Sequence, residues 1–325
     1  MRKPNGSEPG STGEAGTISA PAPPPSGAAR DATPLSTVVR VRSLLPSLPP
    51  AERRVAQRVI DDPEGVANST ITELAQTCGT SETTVIRFCR AIGFHGYPEL
   101  RLTLATEAGR AQSATGGRVI GSDISPDDSL EQIVEKVTFA DARAVEETAA
   151  QLEIKMLEQV VDAVVAADRV DVYGVGASAF VAADFQQKLH RIGRVCAAWS
   201  DAHIMLTSAA VLQAGDVAIG ISHTGATVET IDALEVAKGR GVTTVAVTNF
   251  PKSPIAEVAD LILTTAARET TFRSGATASR LAQLTVVDCL FVGVAQRTYG
   301  TTRKALEATF EAVRGRTVRP DRRRR

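Results

Sequence analysis

A short segment rich in hydroxyls follows an apolar run in the second half of the chain. The run Val217–Ile221 has the length and composition of a buried strand, and a helical pattern starts at Thr227. Hydroxyls and backbone N–H groups at the start of a helix suit an anion, because the positive end of the helix dipole points there. No lysine of the Walker A type is present. The segment predicts a sugar-phosphate site, and an ordinary Ser/Thr-capped turn is the alternative. Its candidate ligands are Ser222, Thr224, Gly225 and Thr227.

A second strand–turn–helix segment lies earlier in the chain. Its strand leads into Gly174 and Gly176, whose lack of a side chain lets the backbone turn tightly and approach a ligand. Ser178 is predicted to cap the following helix and to bond a ligand oxygen. Both segments open at strand carboxyl ends, where α/β sheets form ligand crevices. Glu269, after the last predicted strand, is a further candidate as a base or as the partner of a ligand hydroxyl.

Composition narrows the class of protein. The chain has 325 residues, enough for two domains, and its net charge of −1 gives no overall attraction to nucleic acid or membrane. Its four cysteines lack C-x-x-C spacing, so we expect no metal site and no disulfide framework. No uninterrupted apolar run reaches the roughly 20 residues that span a bilayer. We therefore expect a cytoplasmic protein without a membrane partner.

The second half of the chain alternates between strand and helix patterns. Such alternation predicts a doubly wound α/β fold, with a parallel sheet and helices on both faces. Two helices, over 130–148 and 152–166, are predicted before the first strand. Strands are predicted near 170–174, 194–199, 216–221, 242–247 and 260–264, and helices near 178–191, 203–210, 227–239, 254–258 and 276–298.

The segment 69–94 has the spacing of a helix-turn-helix. Ala75 is small where two helices would cross, and Gly79 suits the turn between them. The second helix is predicted to present short polar side chains and cations outward, which suits the phosphates and base edges of a major groove. The alternative is an ordinary helical hairpin with a solvated polar face. The candidate DNA-binding residues are Ser81, Thr83, Thr84, Arg87 and Arg90, with Ser81 also capping the helix.

Together these segments resemble the RpiR family of bacterial transcription regulators. The motifs that carry the resemblance lie at 81–90, 92–100, 221–229, 279–284 and 287–291. The resemblance implies an N-terminal all-α helix-turn-helix domain joined to a C-terminal sugar isomerase (SIS) domain with a doubly wound parallel sheet. It further implies a double-stranded DNA operator and a sugar-phosphate effector as partners, in a homodimer or homotetramer.

The resemblance also assigns roles to single residues. Ser178, Ser222, Thr224 and Thr227 match the family's phosphosugar-binding hydroxyls, and Gly225 matches its tight loop. At 226 an alanine stands where these loops more often carry a basic residue, which changes the expected phosphate contact.

The patterns divide the chain into five parts. A glycine- and proline-rich start cannot bury enough apolar surface to fold and is predicted to be disordered. The predicted parts are this tail (1–36), the helix-turn-helix domain (37–112), a linker (113–128), the SIS domain (129–305) and a basic tail (306–325).

Two enzymes compete with a regulator. A sugar-phosphate isomerase with an accessory helix-turn-helix would need an acid and a base. A nicotinamide dehydrogenase would bind its dinucleotide at the glycines at 174 and 176, and Asp201 would bond the ribose. The hydroxyl-rich loop would then have no role. Since a helix-turn-helix has no use in catalysis, we assign no catalytic residue and expect no cofactor. The isomerase candidates are Glu269, His190, His203 and His223.

Overall fold

Short helices with one apolar face form the first part of the chain. The structure is a computed structural model and describes residues 36–115, 124–269 and 278–316, which belong to one compact unit. The first helices are α1 (Thr37–Leu44), α2 (Pro50–Asp61), α3 (Pro63–Asn68), α4 (Ile71–Thr77), α5 (Glu82–Ala91) and α6 (Tyr97–Thr115), with a 3₁₀ helix over Leu45–Ser47.

These helices share one apolar core. It includes Val55, Leu74, Val85, Phe88 and Leu100, each almost completely buried. Ile71 of the same segment is only partly buried, and Ile86 does not belong to the cluster.

The start of the helical domain is fixed by a residue far along the chain. Glu107 of α6 accepts hydrogen bonds from the Thr37 backbone N–H at 2.8 Å and from the Ser36 hydroxyl at 3.3 Å. Ser36 therefore belongs to the folded domain rather than to the predicted tail. The rest of that tail, residues 1–35, lies outside the described residues, as do linker residues 116–123 and the last residues, 317–325.

The second part of the chain is a parallel sheet with helices between its strands. The strands are β1 (Val170–Gly174), β2 (Cys196–Trp199), β3 (Val217–Ile221), β4 (Thr243–Thr248) and β5 (Leu261–Thr264). The helices are α7 (Leu130–Gln151), α8 (Ile154–Ala166), α9 (Ala177–Arg191), α10 (Ala202–Val211), α11 (Val228–Gly239), α12 (Pro254–Val258), α13 (Ala278–Arg297) and α14 (Tyr299–Arg314).

The strand order is β2-β1-β3-β4-β5, and each neighbouring pair is parallel. One face of the sheet packs against apolar residues of α8, α9 and α13. The other face packs against α10, α11 and α12. The predicted doubly wound fold is confirmed, and the order reverses between β1 and β3, the kind of position where such sheets bind ligands.

Two predicted boundaries differ from the structure. Helix α6 continues to Thr115, past the predicted domain end at 112, and α14 occupies residues 299–314, so the predicted basic tail from 306 begins inside a helix. Among the described helices, α13 is long and apolar enough to cross a membrane by length and composition, but it packs against α7, α8 and α9 as a core helix.

An ion pair links the helix-turn-helix domain to α7. Arg42 of α1 donates to Glu147 of α7 at 3.3 Å, and both side chains are largely buried. The next residue, Thr148, is buried, and its hydroxyl accepts the backbone N–H of Ala266 at 3.0 Å, in the segment after β5. The end of α7 therefore contacts both the first helix and the loop that leads to Glu269.

The close approach of α11 to β3 depends on a glycine. A Cβ atom on Gly220 would lie 2.8 Å from Leu234 and 3.0 Å from Thr230 of α11. We predict that Gly220→Ala lowers the free energy of unfolding by about 1–3 kcal/mol, because the helix must shift to admit a methyl group. Urea denaturation of the protein without ligand measures this effect.

Gly239→Ala at the end of the same helix is the matched control. A Cβ atom there meets no atom within 4 Å, so its unfolding free energy should stay the same or rise by up to about 1 kcal/mol. Equal unfolding midpoints for the two variants would contradict the packing argument.

Candidate functional site

The two glycine-containing loops meet at the carboxyl edge of the sheet. Gly174, the last residue of β1, lies directly beside Ile221, the last residue of β3. The loops that follow these strands are therefore neighbours at the position where strand order reverses. The sequence predicted both loops, and the parallel register brings them together.

The loop after β3 is held by its own hydroxyls. The Ser222 hydroxyl lies 2.9 Å from that of Thr227 and accepts the backbone N–H of Gly225 at 3.1 Å. Ser222 is buried, whereas Thr224 is exposed and its hydroxyl accepts the N–H of Ala226 at 3.2 Å. Three of the predicted residues thus form one hydrogen-bonded turn, with Thr224 on its outer side.

Gly225 cannot be replaced without moving this turn. Its φ is +64°, in the left-handed region that glycine tolerates. A Cβ atom there would lie 2.0 Å from the Ser253 hydroxyl, and the Gly225 carbonyl accepts the N–H of Ile255 at 2.9 Å. The predicted tight turn is therefore fixed against the start of α12.

Helix α11 starts at the end of this turn with N–H groups that can serve an anion. Its N-cap is Thr227, whose hydroxyl makes no capping bond to the helix backbone and turns to Ser222 instead. The first N–H groups of a helix have no acceptor within the helix, and they carry its positive partial charge. The turn thus combines hydroxyls, free helix N–H groups and a dipole, without a lysine or arginine in the loop.

The loop after β1 differs in one respect from its prediction. Ser178 does not cap α9, because Gly176, with φ of +60°, is the N-cap and Ser178 lies inside the first turn. Gly174 allows this turn to come close, since a Cβ there would lie 2.7 Å from the Ser178 carbonyl oxygen. The Ser178 hydroxyl is buried and donates to Gln283 of α13 at 3.3 Å.

Glu269 acts electrostatically on His223, which follows Ser222 in the hydroxyl-rich turn. The carboxylate of Glu269 accepts a hydrogen bond from Ser279 at the start of α13. Burial lowers the pKa of His223 below its usual value, and the negative charge of Glu269 opposes this shift. Glu269 and His223 therefore share an electrostatic environment after β5 and β3.

The remaining residues considered for enzymes lie elsewhere. His190 and His203 are exposed on α9 and α10. Asp201 is the N-cap of α10, where its carboxylate accepts the N–H of Ile204 at 3.0 Å. The carboxylate needed for a nicotinamide ribose is thus engaged in capping a helix.

Sequence reasoning missed two polar residues at this edge. Ser279 and Gln283 are completely buried on α13, one helical turn apart, and contact Glu269 and Ser178. Polar residues at helical spacing within an otherwise apolar helix were the available signal. Their partners are more than a hundred residues away or lie on another loop, so the pattern alone could not identify what they bind.

The helix-turn-helix has the predicted turn. Thr80 donates its N–H to the Ala75 carbonyl at 2.9 Å, and Gly79 has φ of +57°. Arg54 of α2 donates to the carbonyls of Cys78 and Gly79 at 2.9 and 2.8 Å. This arginine, which the sequence did not single out, fixes the turn against α2.

The outer face of α5 carries four of the five predicted DNA-binding residues. Ser81 caps the helix, and Thr83, Arg87 and Arg90 are exposed. Thr84 was predicted to point outward and does not: it is buried, and its hydroxyl lies 3.0 Å from that of Ser81. Thr84 lies in the first turn of α5, where its hydroxyl pairs with that of the capping Ser81. This local bond turns the side chain inward, although helical periodicity placed it on the exposed face.

Arg87 is oriented by two neighbours. Its guanidinium lies 3.8 Å from the carboxylate of Glu52 on α2 and donates to the Thr84 hydroxyl at 3.3 Å. Glu52 is buried, whereas most of the Arg87 side chain is exposed. The arginine is therefore positioned from below and remains available to an external partner.

Comparison with known proteins gives the same two domains. The model of the helix-turn-helix domain of the rpiR family matches residues 36–111, and that of the SIS domain matches residues 164–293. An uncharacterized HTH-type transcriptional regulator of Caldanaerobacter subterraneus is 38% identical over 278 residues, covering 86% of this chain and 97% of the relative. The uncharacterized HTH-type regulator YbbH of Bacillus subtilis is 33% identical over 280 residues, covering 86% and 97% of the two chains.

Solved structures agree with this result. The NanR protein of Vibrio vulnificus, complexed with ManNAc-6P, is 29% identical, with a TM-score of 0.55 over 87% of this chain and 100% of that one. The sugar isomerase domain of an RpiR transcription factor from Sphaerobacter thermophilus is 29% identical, with a TM-score of 0.52 over 55% of this chain and 99% of that one. The resemblance noted from the sequence is confirmed: this chain belongs to the rpiR family of helix-turn-helix transcriptional regulators with a SIS domain.

Proposed function

We propose that this regulator binds a phosphorylated sugar at the β1/β3 edge of its SIS domain and thereby controls genes of carbohydrate metabolism. The observation that carries the proposal is the hydroxyl-rich turn of Ser222, Gly225 and Thr227 at the start of α11. A phosphate monoester matches its donors, since it accepts several hydrogen bonds and is attracted by a helix N-terminus. The complex of the similar NanR protein with ManNAc-6P supports this ligand class.

The predicted site residues divide into two groups. Ser222, Thr224 and Thr227 surround the turn and would donate hydroxyls to the phosphate. With alanine at 226, that turn supplies no side-chain cation, so its backbone N–H groups and hydroxyls carry the contact. Gly174, Gly176 and Gly225 shape the backbone, while Ser178 and Glu269 lie where the rest of the ligand would extend.

The DNA-binding surface is the exposed face of α5. The side chains that reach outward are those of Thr83, Arg87 and Arg90. Ser81 lies at the start of the helix, where its hydroxyl can contact a DNA phosphate. Thr84 supports the cap and does not read DNA directly. The regulator acts in the cytoplasm, with the operator DNA that it binds.

The end of α7 offers a route between the two sites. It contacts α1 through the Arg42–Glu147 pair and the segment leading to Glu269 through Thr148. A ligand that moves this segment would change the contact made with the helix-turn-helix domain. Effector binding and operator binding would then be coupled through α7, without movement of the sheet.

An isomerase is the second candidate function. The proximity of Glu269 and His223 favours it, because a carboxylate and an imidazole could transfer protons between adjacent sugar carbons. Relatives named as transcriptional regulators favour a role without catalysis. Purified protein incubated with aldose and ketose phosphates decides between the two: interconversion detected by NMR, and lost in Glu269→Gln, would establish the enzyme.

We predict that Arg87→Ala weakens operator binding by about tenfold or more, because the side chain contacts DNA. Fluorescence anisotropy measures this on the DNA fragment that the wild-type protein selects from its own genome. The affinity of the wild-type protein should also fall steeply with salt. Arg303→Ala is the control, since this arginine is exposed on α14, in the other domain. Equal affinities for the two variants would exclude Arg87 from the interface.

We predict a homodimer, or a tetramer built from dimers. One recognition helix contacts too few bases, and two must be held roughly 34 Å or a multiple apart. Exposed apolar residues such as Leu130 and Val134 on α7 are candidates for the contact, together with α8 and α13. Light scattering at micromolar concentration should give at least twice the 34.2 kDa of one chain. A monomer under these conditions would refute the prediction.

We predict that Ser222→Ala with Thr224→Ala abolishes the response to effector. Each hydrogen bond to a charged ligand contributes about 1.5–3 kcal/mol, so losing two weakens binding beyond physiological sugar-phosphate levels. A thermal-shift screen of sugar phosphates identifies the effector, which is then titrated into the operator-binding assay. Thr301→Ala on α14 is the control.

The double variant should still bind its operator, because the helix-turn-helix has its own core. A double variant that responds at the same effector concentration as wild type contradicts the assignment. So does a variant that keeps its circular dichroism spectrum but no longer binds DNA.

A further inference from the structure

Gln283 presents a buried amide of which only one end has a partner. The side chain is completely buried on α13, and its Oε1 accepts the Ser178 hydroxyl at 3.3 Å. Its Nε2 is also buried and has no hydrogen-bond partner. A buried polar group without a partner is costly, and native proteins rarely keep one without a role.

One end of the amide stays unpaired whichever way the amide is oriented. Turning the amide over would place Nε2 against Ser178, whose hydroxyl can accept as well as donate, and would leave Oε1 unpaired instead. A ligand that serves both orientations must be able to donate and to accept. A hydroxyl group does both, whereas a fully ionised phosphate only accepts.

A second unpaired group lies at the same edge of the sheet. The Nδ1 atom of His223 is buried without a partner. His223 lies in the hydroxyl-rich turn, two residues after the end of β3 at Ile221. Its neighbour Glu269 is bonded to Ser279, one helical turn before Gln283 on α13. Unpaired groups from the loop after β3 and from α13 therefore occur close to residues of the proposed site, Glu269 and Ser178.

We propose that Gln283 and His223 bind hydroxyl groups of the sugar part of the effector, while the turn at Ser222 binds its phosphate. This inference rests on the proposed function and adds to it the residues that recognise the sugar. It identifies the ligand class as a phosphate ester whose carbon chain carries hydroxyls. Inorganic phosphate would fill the turn and leave both buried groups without partners.

Gln283→Met tests the assignment, because methionine has similar length and removes the amide. Calorimetry measures two probes: inorganic phosphate, and the sugar phosphate that gives the largest thermal shift with wild-type protein in a panel of hexose and pentose phosphates. We expect sugar-phosphate affinity to fall about tenfold or more and phosphate affinity to stay unchanged. Melting temperature without ligand should change little, since the variant removes the unpaired amide end and also the acceptor of the buried Ser178 hydroxyl.

Two further variants keep the test decisive. Gln283→Leu removes the amide without adding charge and should show the same selective loss if the methionine variant does not fold. Gln296→Met is the matched control, since Gln296 is exposed on the same helix, and should bind both probes as wild type does.

The outcomes separate the inference from the proposed function. Unchanged sugar-phosphate affinity, or equal loss for both probes, overturns the role of Gln283 and leaves the phosphate turn intact. A lower melting temperature with unchanged affinity would mean that the amide serves only the fold. Wild-type protein that binds no sugar phosphate in the panel overturns the proposed function, and this inference with it.

Discussion

The absence of a side chain at Gly225 is the constraint on which the hydroxyl-rich turn, our proposed effector site, depends. The turn after β3 folds so closely onto the start of α12 that a Cβ atom there would overlap the Ser253 hydroxyl. In this position the Gly225 N–H reaches Ser222, and the Ser222 hydroxyl reaches Thr227 at the start of α11. The placement of the hydroxyls at the start of α11 follows from this one close contact, while the parallel register of β1 and β3 brings the second loop beside it.

The proposed phosphate turn and the proposed sugar-binding groups use different interactions. The turn has backbone N–H groups and a helix dipole, which attract any anion of suitable size. The proposed sugar-binding groups are buried side chains, of which Gln283 and His223 are incompletely paired. Buried polar groups discriminate strongly between ligands, because a ligand that fails to pair them leaves their desolvation uncompensated. Affinity and selectivity thus come from separate parts of the edge.

In the helix-turn-helix domain, polar side chains of α2 position both the turn and the exposed Arg87. Glu52 is buried beneath Arg87, and Arg54 holds the carbonyls of the turn. Each interaction joins α2 to the helix pair, so the recognition helix is supported from outside its own motif. The Arg42–Glu147 pair then links this domain to α7, whose next residue bonds the segment before Glu269. Such a connection is one physical route by which two sites of a regulator can respond to each other.

The sequence by itself determined the local features of this protein. Apolar periodicity located the strands, and glycine and hydroxyl spacing identified the turn at 222–227 and the helix-turn-helix at 69–94. Those features depend on interactions within a few residues, and so they can be read along the chain. Thr84 and Ser178 are exceptions: the Thr84 side chain belongs to the cap of α5 and not to its exposed face, and Ser178 lies inside the first turn of α9 and does not cap it.

Only the tertiary structure decided which distant residues meet. Ser178 and Gln283 are 105 positions apart, and Arg42 and Glu147 are also 105 apart, as their hydrogen bonds record. Helical periodicity places Gln283 on the buried face of α13, but no local pattern identifies the residue that its amide meets. Strand order and helix packing create these contacts, and they are set by the burial of apolar surface over the whole domain.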